Sequence, residues 1–144
     1  MTASGSDLQT LTTINASAAF NRLAGFEVIE AGNGNAVLRM PWRDEFGQYS
    51  GHLHAGVIAA LLDTACGLAA VTVAGRVTAS HFSMNCLLPA VGEYFLAKGT
   101  TVRAGRKQIF AKAELFAGNA RGELSLVASG ETVLVPVSAD ARGK

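Results

Sequence analysis

Charge is scarce in this sequence. Charged residues make up 16% of the chain against 49% hydrophobic, and 12 lysines and arginines nearly balance 11 aspartates and glutamates. A net charge of +1 offers no basic stripe for nucleic acid or for an anionic membrane surface. It also leaves little to cover a free-standing monomer, so part of the surface is expected to lie against another subunit. Cysteine is nearly absent. Cys66 and Cys86 have neither metal-type spacing nor a disulfide framework around them. They read as buried free thiols in a reducing compartment, which points to the cytoplasm.

Other absences exclude whole classes. The first twenty residues lack a basic stretch followed by an apolar run, so no secretory signal is expected. No Gly-x-Ser-x-Gly elbow is present, which argues against a serine triad. A glycine-rich phosphate loop is missing too. His52 and His54 stand two apart with no Cys, Asp or Glu completing a ligand set, so structural or active-site roles are expected of them and no metal. His81, on a strand, reads as an interface or core-edge residue.

What the chain does have is one very apolar stretch, AGVIAALLDTACGLAAVTVAG, from Ala55 to Gly75. Its length approaches the roughly 20 residues of a membrane span. Asp63 near its middle would cost about 2.5–3.5 kcal/mol on insertion scales. A helix apolar on every side also serves as the central helix of a soluble protein, and that is the expectation here, over about residues 56–74. Such a helix cannot rest on one open sheet face; it must be wrapped.

The flanking segments supply the wrapping. Helical sequence is expected over residues 1–24, with caps at Ser6 or Asp7 and again at Asn15, and a stop at Gly25. Residues 26–31 and 35–40 read as a hairpin around Gly32-Asn33-Gly34. Pro41 to Leu53 reads as a loop. After Gly75 come four strands: Val77–Leu88 ending at Pro89, Glu93–Arg103, an alternating run from Gln108 to Leu115, and Glu123–Val135. Read in order they suggest a four-stranded meander. The whole, 1–144, is expected to be one α+β domain with a frayed tail over 138–144.

From Phe46 to Gly75 the only formal charge is Asp63. A buried carboxylate needs a partner, a wet cavity or a raised pKa, and each is common at active sites. His54-Ala55-Gly56 precedes the helix, whose first N–H groups carry partial positive charge and suit an oxyanion. Asp63 follows Gly56 by two turns on the same side, within about 20° but roughly 10 Å along the axis. One helix therefore cannot bring both groups to one carbonyl carbon. Two antiparallel copies can, which again points to a dimer.

The segment Gly51-His52-Leu53-His54-Ala55-Gly56-Val57-Ile58-Ala59-Ala60-Leu61-Leu62-Asp63-Thr64-Ala65 resembles the signature of the hotdog-fold thioesterases of the phenylacetate-pathway and 4-hydroxybenzoyl-CoA type: His-Gly-Gly, several apolar residues, then Leu-x-Asp. Ser83 to Ala90, followed by Gly92-Glu93, resembles that family's strand ending in proline before a Gly-acid pair, and Gly105-Arg106-Lys107 also has a counterpart there. The likeness covers about residues 25–136. It implies a hotdog fold, an antiparallel sheet wrapped around the central helix, assembled as a dimer or dimer of dimers with sites between subunits. It implies hydrolysis of an acyl-CoA, short, medium or aryl, with no cofactor besides the coenzyme A of the substrate.

Carried over residue by residue, Asp63 would be nucleophile or general base, and the Gly56 N–H would hold the thioester oxygen. Gln48 would stand near the carboxylate and water, and His54 beside the thioester sulfur or bracing the loop. Ser80, with Thr78 as second choice, would place the water. Ala55 departs from the family's first Gly, which narrows the site or shifts which N–H donates. Arg103, Arg106 and Lys107 would clamp the phosphates of coenzyme A. Trp42 and Phe46 would line the acyl pocket or cover the core. Two other readings stay open: an acyl-thioester hydratase or dehydratase, for which His54 and Asp63 would have to form the acid–base pair, and a non-catalytic acyl-CoA-binding module.

Overall fold

The computed structural model describes residues 5–138. Two N-terminal helices, α1 (Gly5–Ser17) and α2 (Ala19–Ala24), lead into the hairpin β1 (Glu27–Gly32) and β2 (Asn35–Pro41). A 3₁₀ turn (Asp44–Phe46) lies in the loop before the long helix α3 (Ala55–Ala74). Four strands follow: β3 (Val77–Cys86), β4 (Tyr94–Ala104), β5 (Ile109–Gly118) and β6 (Leu124–Pro136). The fold class is α+β, one antiparallel sheet with strand order β1-β2-β4-β5-β6-β3. The tail expected to fray lies, beyond Ser138, outside the described residues.

The expected hairpin forms because Asn33 (φ 55°) and Gly34 (φ 78°) both take the left-handed region that a two-residue type I′ turn requires. The Gly34 N–H donates to Thr72 Oγ1 at 2.7 Å, which ties the turn to the end of α3. Strand β5 keeps the period of two that its sequence shows: Ile109, Ala111, Ala113 and Leu115 face the core, and Lys112 and Glu114 face out.

Helix α3 is long and apolar enough to cross a membrane, yet it packs against all six strands. Leu61, Leu62, Ala65, Cys66, Ala69 and Ala70 on it are fully buried. Its small residues let the sheet come close. At Gly99 of β4 the approach is backbone to backbone, since a Cβ there would stand 2.3 Å from the Ala65 carbonyl oxygen.

Four expectations are corrected. The four last strands are not a simple meander: β4, β5 and β6 are neighbours in turn, but β3 pairs with β6 and forms the far edge. The link between β3 and β4 carries the chain across, fastened by Leu87 N–H and Leu88 N–H to Val127 O (2.8 and 3.2 Å) and by Leu53 N–H to Ala90 O (3.0 Å). Asn15 caps no helix. It sits buried inside α1, where its amide donates to Phe26 O at 2.8 Å and accepts from Asn21 at 3.1 Å, clamping the helices to the start of β1. Likewise α1 begins at Gly5, which puts Ser6 and Asp7 in its first turn. Of the two thiols only Cys66 is buried; Cys86, at the end of an edge strand, is exposed.

The Gly99 contact makes a direct prediction. Gly99→Ala forces α3 away from the sheet, and overpacking of this kind costs about 1–3 kcal/mol. Urea unfolding is expected to show a lower midpoint at unchanged slope.

Candidate active site

Two cavities lie at the two ends of the edge strand β3. The first, ≈270 Å³, is lined by Gln48, His52, Ala55 and Ile58 together with Cys86, Leu87 and Leu88. The second, ≈260 Å³, is lined by Asp63, Thr64, Gly67 and Leu68 of α3, by Val77, Thr78 and Ala79 at the start of β3, and by Ile14 of α1. The residues expected to act together are thus divided. Gln48, in the loop before α3, and Ala55, the first residue of α3, line the first cavity, while Asp63 and Thr78 share the other.

Asp63 is half-buried, but its Oδ1 is fully buried with no hydrogen-bond partner among the described residues. Desolvation holds its carboxyl above the ordinary value of 3.8, because burial disfavours the charged form. Behind it on α3, burial pushes the Cys66 thiol up to about 11, and the Asp63 charge adds to that rise. Thr132 Oγ1 is itself buried without a partner. A carboxylate left with an unsatisfied oxygen in a partly apolar cavity is a base lacking only its proton donor.

At the other cavity the helix start is organised by His54. It is the N-cap of α3, extended at φ −63° and ψ 137°, and its Nδ1 accepts the Gly56 N–H at 2.8 Å. This corrects the expectation for Gly56, whose N–H is engaged by the imidazole and not turned to a substrate. It also explains the glycine: a Cβ at Gly56 would stand 3.0 Å from His54 Nδ1. Ala55, by contrast, is the first helical residue, so its N–H has no intrahelical acceptor, and it is exposed on the cavity. Among the described residues, Ala55 is thus the one whose backbone N–H is left free beside the Gly56–His54 contact. Gln48 is held within its own loop: its carbonyl accepts from Ser50 N–H, and its amide donates to His52 Nε2 at 3.1 Å.

Ser80, at the bulge between Ala79 and His81, donates to Val133 O at 3.2 Å and does not line the Asp63 cavity; Thr78 does. Trp42 and Phe46 line neither cavity. Both are half-buried against the core, with Trp42 tilted on Phe95 at 6.4 Å and its indole N–H on Asp44 Oδ1 at 3.0 Å. Of the two roles expected for them, acyl pocket or core cover, their packing is that of core cover. Arg103, Arg106 and Lys107 are exposed at the β4–β5 hairpin, without an ion pair among the described residues. Arg103 lines a further cavity, on the outer face of the sheet, with His81 and Phe110.

Sequence reasoning missed Thr64, Gly67, Thr132 and Ile14. Helical spacing from Asp63 signals Gly67, at i+4, but not Thr64, at i+1. Thr132 and Ile14 come from distant elements and carry no such signal.

A family model described as the thioesterase superfamily matches residues 50–123. A Saccharolobus solfataricus protein named as a candidate esterase is 30% identical over 118 residues, 81% of this chain and 83% of its own. The crystal structure of a thioesterase family protein from Silicibacter pomeroyi superposes with TM-score 0.85 at 30% identity, over 90% of this chain and 96% of the other. The E. coli PaaI protein from the phenylacetic acid degradation operon superposes with TM-score 0.76 over 91% and 96%; at 20% identity that is a likeness of fold. An antiparallel sheet wrapped round one apolar helix is the hotdog architecture, and the chain belongs to the thioesterase superfamily.

Proposed function

We propose that this chain hydrolyses acyl-CoA thioesters to the free acid and coenzyme A, in a homodimer whose two sites each draw on both subunits. The observation that carries the reading is Asp63, with its buried, unpartnered Oδ1, in a cavity at one end of an open edge strand. Ala55 is eight residues away, about 12 Å along the axis, too far to serve the same carbonyl. The two cavities, however, sit at opposite ends of β3. Pairing β3 antiparallel with its copy about a two-fold axis sets the Val77 end of one strand against the Cys86 end of the other. Each Asp63 then meets the partner's helix start, twice over. No residue of β3 is fully buried in the single chain, and a ten-residue edge left open invites a partner strand.

In the assembled site the Ala55 N–H takes the thioester oxygen. Asp63, ionised, either draws a proton from water as the water oxygen attacks the carbonyl carbon, or attacks that carbon itself to give an acyl anhydride that one water then cleaves, returning the free acid and the Asp63 carboxylate. In either case the C–S bond breaks, and the electron pair leaves on the sulfur of coenzyme A, which takes up the proton that water gives up. Thr78 and Gln48 position the water and His54 fixes the helix start. Arg103, Arg106 and Lys107 grip the coenzyme A phosphates. The free thiols fit a cytoplasmic location.

Release of coenzyme A from short, medium, long and aryl acyl-CoAs tests the reading. Asp63→Asn is expected to lower turnover about 10²–10⁴-fold while binding persists. Tight binding without turnover in both proteins would make this a binding module instead.

The carboxyl's raised pKa gives two signed outcomes. The base form is lost as pH falls through the raised value, so the acid limb of the kcat/KM profile is expected above 3.8. Because the folded pKa is raised, ionised Asp63 destabilises the fold above it, and this cost vanishes as pH falls below the unfolded value. Asp63→Asn should therefore raise Tm at pH 7 and give no gain in strong acid, as read by thermal melts across pH.

Subunit sharing is tested by complementation. Proline at the first helical position removes one N–H without breaking the helix, and His54 already has the extended backbone that must precede it. Ala55→Pro is expected to lose about 10²–10³-fold in kcat. Reassociating equal amounts of Ala55→Pro and Asp63→Asn should restore roughly a quarter of wild-type activity, since half the dimers carry one intact site. No recovery would place the whole site within one chain.

A further inference from the structure

Gly67 stands in the middle of α3, one turn beyond Asp63, where glycine is the poorer helix former than alanine. Glycines elsewhere in the core are explained by crowding: a Cβ would meet backbone at 2.3 Å at Gly99 and the Tyr94 ring at 2.2 Å at Gly118. At Gly67 a Cβ would meet nothing within 4 Å, and φ is not left-handed. Neither packing nor backbone geometry within the chain asks for it. What it leaves is open floor in the Asp63 cavity.

That cavity is a trough along α3. Asp63, Gly67 and Val71 follow at i, i+4 and i+8 on one face, about 12 Å end to end, with Leu68 beside them and Ile14 of α1 above. At ≈260 Å³ it falls short of the 300–1,000 Å³ of sites that enclose a drug-sized ligand. It suits the acyl part of a substrate and not the whole. No lysine or arginine lines it, so a second carboxylate on the acyl group would find no counter-charge and would face Asp63.

We infer that Gly67 and Ile14 set the acyl specificity: the acyl group runs from Asp63 over Gly67 towards Val71, beneath Ile14, and is apolar, monocarboxylic and of medium length. This rests on the thioesterase reading above.

The test is kcat/KM on straight-chain acyl-CoAs from acetyl to dodecanoyl and on succinyl-CoA, for wild type, Gly67→Leu, Gly67→Ala and Ile14→Ala, with oligomeric mass checked by light scattering. Gly67→Leu is expected to lower the ratio of medium- to short-chain kcat/KM by at least about tenfold, the scale of a methylene or more in a pocket. Ile14→Ala should shift that ratio towards longer chains, and it carries the test alone should Gly67→Leu fail to fold. Succinyl-CoA is expected to be the poorest substrate of comparable length. Gly67→Ala should raise Tm by about 3 °C, because the new methyl meets no neighbour. Length ratios unchanged in all variants, with turnover present, would overturn this inference alone. So would a change of oligomeric mass in Gly67→Leu, which would give the open floor to the partner's helix. Wild type inert on every acyl-CoA would instead sink the thioesterase reading itself.

Discussion

The enclosure of α3 is the constraint from which the rest follows. A helix apolar on all sides must be surrounded, and one sheet surrounds a helix only by curling tightly about it. Gly99 permits this, because the β4 backbone lies on the Ala65 carbonyl with no side chain between. With β4 and β5 held at the centre of the sheet, β1 and β3 become its edges. The first turn of α3 then emerges at one end of β3, and the middle of the helix at the other. Both candidate half-sites are thus consequences of how the helix is covered.

Burial of Asp63 works against the fold that contains it. An oxygen without a donor, in a partly apolar cavity, weakens the ionised form, and a neutral residue of the same shape would suit the helix better. The neighbouring Cys66 and Thr132 add no compensation: the thiol is pushed up to about 11 and so stays neutral, and the hydroxyl is itself unpartnered. A destabilising group in a cavity is what the proposed chemistry requires of Asp63, since active sites are where such shifts concentrate.

Much of this was legible in the sequence, because local physics decides it. Asn33-Gly34 specifies its own turn; the alternation of residues 109–115 specifies a half-buried strand; the length and all-round apolarity of α3 demand a wrapping. The solitary charge of Asp63 marked the cavity before any coordinates did. What stayed hidden depends on partners far along the chain. The apolar run from Val77 to Leu88 marks a strand, but not that its neighbour is β6 and not β4. Asn15 looks like a cap until Phe26 O, in another element, claims its amide. The role of the Gly56 N–H turned on the rotamer of His54, a residue outside the usual N-cap set of Ser, Thr, Asp and Asn. Trp42 and Phe46 look free to line a pocket until Phe95 and the core take their faces.

The same division of the site bears on how activity is tied to assembly. A rigid helix fixes Ala55 and Asp63 about 12 Å apart, and no loop motion within one protomer shortens that distance. Under the proposed pairing, a lone subunit holds a base without its oxyanion donor and a donor without its base. Exposed Leu87 and Leu88, beside the helix start, and Val77 to Ala79, beside the carboxylate, would be covered by the same pairing that joins the two halves. Burying that edge and completing the chemistry are then one event. Desolvation tightens around Asp63 only when the thioester carbonyl has a donor in place, which is where a low dielectric strengthens the oxyanion contact most.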